Sequence, residues 1–240
     1  MSNSDKPASP KSRLSYLTRI AHTSAPFIST FLLIHLSAPI MANLGGGELA
    51  SQVMILGREY YGTPLGHKFL VVLPIVAHTG SAIAKRFLQP PAARRPANGF
   101  TTTGYLALLF FIPVHYAVHH ILPSDPAPPI EALAPAELNF EYVKYGLQRW
   151  PVRSWFLYVG LTACVAWHAA EGMQIIWNTW MRGRFGGWKS NVAKRSATVA
   201  AVLAPVLSGL FVLSKEPVIA FMSSIPRFEA SFLKNFIYRI

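Results

Sequence analysis

The run Ala25-Pro26-Phe27-Ile28-Ser29-Thr30-Phe31-Leu32-Leu33-Ile34-His35-Leu36-Ser37-Ala38-Pro39-Ile40-Met41-Ala42-Asn43 contains no charged residue. A bilayer's hydrocarbon core is about 30 Å thick, and a helix rising 1.5 Å per residue crosses it in about 20 residues. Backbone groups in lipid must be satisfied within their own segment, so a run of this kind is helical despite its β-branched content. Four more follow: Lys68 to Leu88, Thr102 to Leu122, Arg153 to Trp180 and Ser196 to Leu213. The fold class read from them is all-α, a polytopic membrane protein with five transmembrane helices. Composition agrees, since only 13% of the 240 residues are charged, about half the share of an ordinary soluble domain. One cysteine, Cys164, leaves no internal disulfide framework and no Cys-based zinc site.

Charge then sorts by side. With five spans, one face (A) receives the N-terminal tail and the second and fourth loops; the opposite face (B) receives the rest. Face A collects 13 bases, among them Arg19, Lys85, Arg86, Arg182, Lys194 and Arg195, against the single acid Asp5. On face B nine bases meet eight acids, so the excess of Lys and Arg marks A as cytosolic. The bases are spread over three short segments and read as topology signals and contacts with anionic membrane lipids, with no nucleic-acid surface. Residues 1–24 read as a polar cytosolic tail. Residues 25–214 form the membrane domain, and 215–240 an amphipathic tail in which Phe228, Phe232 and Phe236 recur every four residues. That tail either lies in the membrane interface or docks on the bundle. The Pro-rich stretches Gln89 to Pro96 and Pro123 to Pro135 read as solvated loops.

Six of the eight histidines fall within spans, where ionisable side chains are rare and face a bundle interior or a ligand. His35, His78, His115 and His168 each sit about ten residues, or roughly 15 Å, into their helices, which predicts a common level near the midplane. Neutral imidazole is a good axial ligand for haem iron, and facing helices of a bundle can supply it in pairs. The alternative is a hydrogen-bonded core histidine. His119, one turn beyond His115, is a substitute ligand. Glu171 shares the helical face of His168; it either orients that ring or pairs with an arginine near face A. Gly160 and Cys164 form a small-xxx-small pair that suits close helix packing.

The chain also carries an internal repeat. Phe31-Leu32-Leu33-Ile34-His35, Tyr60-Tyr61-Gly62-Thr63-Pro64 and Ala77-His78-Thr79-Gly80 are echoed by Phe110-Phe111-Ile112-Pro113-Val114-His115, Tyr145-Gly146 through Trp150-Pro151, and Trp167-His168-Ala169-Ala170-Glu171-Gly172. Two duplicated helix pairs, about 25–88 and 102–180, follow. With the motifs Arg19-Ile20-Ala21-His22-Thr23-Ser24 and Leu32-Leu33-Ile34-His35-Leu36, and with Gly172 one turn after His168, they resemble the cytochrome b membrane subunits of succinate dehydrogenase and fumarate reductase. That resemblance implies a cytochrome b-like four-helix core binding haem b, with His35 paired with His115 and His78 with His168. It also implies quinone-linked electron transfer. Here the histidine-free helix comes last.

Two histidine-bearing helix pairs, a basic face A and a final span without histidine are similar to a fungal mitochondrial outer-membrane adapter family. The resemblance implies a non-enzymatic, multi-pass scaffold in lipid homeostasis. Such a scaffold recruits a bridge-like lipid-transfer protein to organelle contact sites through a cytosolic Pro-x-Pro motif. Pro7-Ala8-Ser9-Pro10 has one residue too many for that motif, and Pro126-Ala127-Pro128 lies on face B. No nucleophile and base at motif spacing, phosphate-binding glycine loop or His-Glu zinc signature points to a hydrolase.

Overall fold

A computed structural model describes residues 10–93 and 97–239. Asp5, Lys6, Pro7-Ala8-Ser9, Arg94 and Arg95 therefore lie outside the described residues. Helices make up the regular structure, with no strand among those residues. They are α1 (Pro10–Tyr61), α2 (Pro64–Leu88) and α3 (Gly99–Ser124), α4 (Phe140–Arg149), α5 (Pro151–Trp180), α6 (Val192–Lys215) and α7 (Ser224–Leu233). By length and composition α1, α2, α3 and α6 are suited to cross a membrane. The protein is an all-α, multi-pass membrane protein. The expected fourth crossing, α5, has 30 residues, but His168, Glu171, Gln174 and Asn178 dilute its apolar run. Within the expected tail of residues 1–24, helix begins at Pro10.

Proline shapes the long helices. Each of the three π-helical segments, His67–Val72, Ala107–Phe111 and Ala117–Ile121, stops two residues before a proline: Pro74, Pro113 and Pro123. Proline has no N–H and crowds the carbonyl one turn back. Widening the preceding turn to i→i+5 bonding re-pairs those groups, as the absence of water requires. Pro26, Pro39 and Pro205 sit in α-helix without such widening.

The chain divides into two compact units. The first comprises Met1–His35 and Gly57–Pro96. In it Thr63 caps α2 by accepting from the Gly66 N–H at 3.0 Å, and Lys85 of α2 donates to the Thr18 hydroxyl of α1 at 2.8 Å. Leu33, Leu70, Val76 and Phe87 are exposed, the outward apolar surface expected of a lipid-facing helix pair.

The second unit comprises Leu36–Leu56 and Ala97–Ile240. Its first segment contains a break: Gly45 and Gly46 leave helical geometry, and Gly46 adopts φ +61°, open to glycine at little cost. The Gly47 N–H donates to both oxygens of Glu216, at 2.9 and 3.1 Å. Lys144 of α4, 2% exposed, reaches Glu141 at 2.6 Å, Glu216 at 3.5 Å and the Pro217 carbonyl at 2.9 Å. A Cβ on Gly46 would collide with Glu216 Oε1, and one on Gly209 with the Pro39 carbonyl where α1 and α6 touch. Asn43 locks the same crossing by donating to the Pro205 carbonyl at 2.8 Å.

Beyond the membrane-suited helices, α4, α7 and the segment 122–139 build an aromatic cap. Tyr142, Phe228, Phe232 and Tyr238 are all buried; Tyr142 stacks on Phe232 at 4.5 Å and hydrogen-bonds to the Val118 carbonyl and to Ser231. Burial pushes its phenol above the ordinary value. Burying each Phe contributes about 1.5–3 kcal/mol, so of the two readings of the C-terminal tail the docked one holds. Its charges serve the dock: Arg227 pairs with Glu137, Arg149 with Glu229, and Lys234 with Asp125. The Lys234 ammonium and the Ala127 N–H hold the Asp125 carboxyl below the usual carboxylate range. The stretch Pro123 to Pro135 is corrected from a solvated loop, since Ile130 and Leu133 are core residues.

The break at Gly46 and its partner Lys144 should be the most substitution-sensitive surface-distant positions. Lys144→Met, which strands Glu141 and Glu216, is expected to cost about 3 kcal/mol, and Gly46→Ala about 1–3 kcal/mol. Thermal unfolding of the full chain in detergent measures both.

Candidate functional site

Two of the four histidines share one anchoring scheme. In the first unit His78 of α2 places Nδ1 2.9 Å from the Ala21 carbonyl, and the Ser24 hydroxyl donates to that same carbonyl at 3.0 Å. In the second unit His168 of α5 places Nδ1 3.0 Å from the Phe100 carbonyl of α3, and the Thr103 hydroxyl donates there at 3.3 Å. A carbonyl can only accept, so Nδ1 carries a proton in both rings. Phe100 also stacks on His168, with centroids 4.2 Å apart and planes 8° from parallel. Gly104 makes room for that ring, because a Cβ there would lie 2.8 Å from His168 Nδ1. Ser24, Phe100, Thr103 and Gly104 were not singled out in the sequence as histidine partners. Their signal is the three-residue step between carbonyl and hydroxyl, repeated 14 or 15 residues before His35 and His115.

The other two histidines sit on α1 and α3, the helices that supply the anchoring carbonyls. His35 Nδ1 is 3.4 Å from the Tyr61 hydroxyl, and its ring lies against Phe31 at 5.3 Å. His115 packs on His119 at 4.7 Å. His119 in turn uses Nε2 with the Tyr158 hydroxyl at 3.1 Å and packs on Tyr142, so it belongs to the junction with the cap. Ala21 and His35, or Phe100 and His115, are separated by roughly 20 Å along their helix. The expected common midplane level is thereby corrected within each unit: His78 lies level with Ala21, away from His35, and His168 lies level with Phe100, away from His115. Among the described residues no group of three or more His, Cys, Asp or Glu is placed to hold a metal ion.

Glu171 pairs with arginine. Arg195 Nη1 of α6 lies 3.0 Å from Glu171 Oε1, and the Trp167 indole N–H donates to the same oxygen at 2.7 Å. Both charged side chains are largely buried, which suits a carboxylate satisfied by a cation and a hydrogen bond. Gly160 does admit a close approach, here by the Phe111 ring, and Cys164 is buried in the core.

Residues 110–216 match the family described as MDM10-complementing protein 1, transmembrane domain. The match covers less than half of the chain, which is similar to that family over these residues. The match runs from Phe110 on α3 to Glu216 of the clamp, and takes in His115, His168 and the Glu171–Arg195 pair. No curated protein and no solved structure matches the chain, so the likeness to cytochrome b subunits rests on sequence motifs alone.

If Glu171 and Arg195 balance each other, Glu171→Met should cost about 3 kcal/mol, and adding Arg195→Met should recover most of it. Unfolding midpoints of the two variants supply the comparison; equal loss in both would remove the pair from the account.

Proposed function

We propose that the protein is a non-enzymatic adapter of the mitochondrial outer membrane that acts in lipid homeostasis, with its N-terminus cytosolic. It recruits a bridge-like lipid-transfer protein at organelle contact sites. The observation that carries this reading is the family match over residues 110–216. The charge asymmetry of the sequence supports the orientation. Pro126, Ala127 and Pro128 are exposed on a turn that Asp125 Oδ1 fixes by accepting from the Ala127 N–H at 2.8 Å, but that turn belongs to face B, which leaves Pro7-Ala8-Ser9-Pro10 as the proline segment on the cytosolic side. The test is microscopy of the tagged full chain in fungal cells beside a tagged lipid-transfer protein. Pro7→Ala with Pro10→Ala is expected to release the lipid-transfer protein from mitochondria while the adapter stays, and Pro126→Ala with Pro128→Ala, on the opposite face, to leave it in place. Retention with all four prolines replaced counts against recruitment through these motifs.

The anchoring of His78 and His168 favours a second reading, a haem b-binding subunit. An imidazole whose Nδ1–H is held by a carbonyl presents Nε2 in the tautomer an axial ligand needs. The residues fit the group in that respect. His35, His78, His115 and His168 are the residues that would hold it. Bound haem supplies one-electron transfer. A six-coordinate b-type spectrum of the purified protein, lost in His168→Ala, is the expected result of this reading. A colourless, folded protein removes it.

A further inference from the structure

We infer that the groove between α5 and α6 is a binding site for one anionic glycerophospholipid, with an acyl chain along α6 and the phosphate at Arg195. The groove has a volume of about 410 Å³, is lined by Trp167 of α5, and on α6 runs from Ser196 through Val199, Leu203 and Leu207. These positions recur at helical spacing on one face, with Ala200 and Ala204 keeping its floor low. From Ser196 to Leu207 the stripe is roughly 16 Å long, about half of the 30 Å hydrocarbon core and therefore the depth of one leaflet. That length suits a single lipid tail and is too short for a spanning helix.

The head of the groove has matching chemistry. Arg195 precedes Val199 by one turn. Its Nη1 is committed to Glu171, whereas Nε is buried and has no hydrogen-bond partner among the described residues. Arg182, Arg184, Lys189 and Lys194 flank it, and from Gly172 to Lys215 the sequence has no acid. The connecting loop is fixed: Asn178 accepts from the Trp188 N–H at 2.8 Å, and both Asn178 and Gln174 donate to the Trp188 carbonyl, at 2.9 and 3.2 Å. Trp177 packs on Phe185 and Trp188 of the loop, at 5.9 and 6.1 Å. Tryptophan beside Lys and Arg marks the headgroup level of a bilayer, and bases there attract anionic headgroups at about 1 kcal/mol each. Glu171 neutralises one of five positive charges, so the head of the groove keeps a surplus that a phosphodiester with an anionic headgroup can balance. A zwitterionic lipid balances less of it.

Native mass spectrometry of the full chain in detergent, with dioleoyl-phosphatidylglycerol against dioleoyl-phosphatidylcholine, tests the site. Phosphatidylglycerol should bind about five-fold more tightly for each base engaged. The charge-balanced pair Glu171→Gln with Arg195→Gln should lower that preference without stranding a charge. Ala204→Phe, which leaves every base in place and fills the groove, should lower the binding of both lipids. Equal binding of the two lipids by the unaltered chain overturns the inference. So does full retention of phosphatidylglycerol by Ala204→Phe, which means contact with surface bases only, or displacement by soluble glycerol phosphate at equal concentration, which means a phosphate site without a tail.

Discussion

The second unit is organised by one carboxylate. Glu216 accepts from the Gly47 amide with both oxygens and faces the Lys144 ammonium, so a single side chain holds the break in α1, the inner face of α4 and the end of α6. A lysine 2% exposed is tolerated only with its charge paired and its donors used. Glu141, Glu216 and the Pro217 carbonyl do that. The arrangement in turn explains two of three consecutive glycines, since Gly46 and Gly47 have the carboxylate where a side chain would be. With the crossing of α1 and α6 set by Gly209 and Asn43, the core around Ala38, Ala42, Val206 and Leu210 follows.

Much of this was readable from apolar runs. All five windows are helical, Glu171 does meet an arginine near the basic end, and Gly160 does admit a neighbour. The N-terminal extension of α1 was not readable: Lys11, Arg13 and Arg19 interrupt any apolar run, and a helix carried on beyond the lipid needs none. Neither was the cap. Ile130 and Leu133 are two apolar residues in a proline-rich stretch, and only contacts distant in the chain, from Phe228 and Phe232, reveal that they are buried. The depth of the histidines was misjudged for a definite reason. Counting from the start of each window assumes that all windows begin at one level, whereas the bonds from His78 to Ala21 and from His168 to Phe100 register the helices differently.

The anchoring of those two rings connects the fold to both readings of function. A hydroxyl and an imidazole converging on one helical carbonyl need a neighbouring helix at fixed distance and rotation, so the scheme constrains packing whether or not the second nitrogen binds metal. In the second unit the neighbouring face of α5 carries Trp167 and Glu171, which pass the constraint on to α6 through Arg195. Histidine anchor, ion pair and lipid groove are thus successive turns of one contact series.

The π turns carry a further consequence. An i→i+5 turn accommodates one residue more than an α turn, and each residue of an α-helix advances the azimuth by about 100°. The segment Ala107–Phe111 lies between Phe100 and His115, so it rotates the far end of α3 relative to the near end without disturbing the near contacts. In the first unit Ala21 and His35 are joined by uninterrupted α-helix and are one residue closer in sequence. A local change of winding thus lets one half of the molecule aim its distal imidazole independently of the other, while both keep the same proximal attachment.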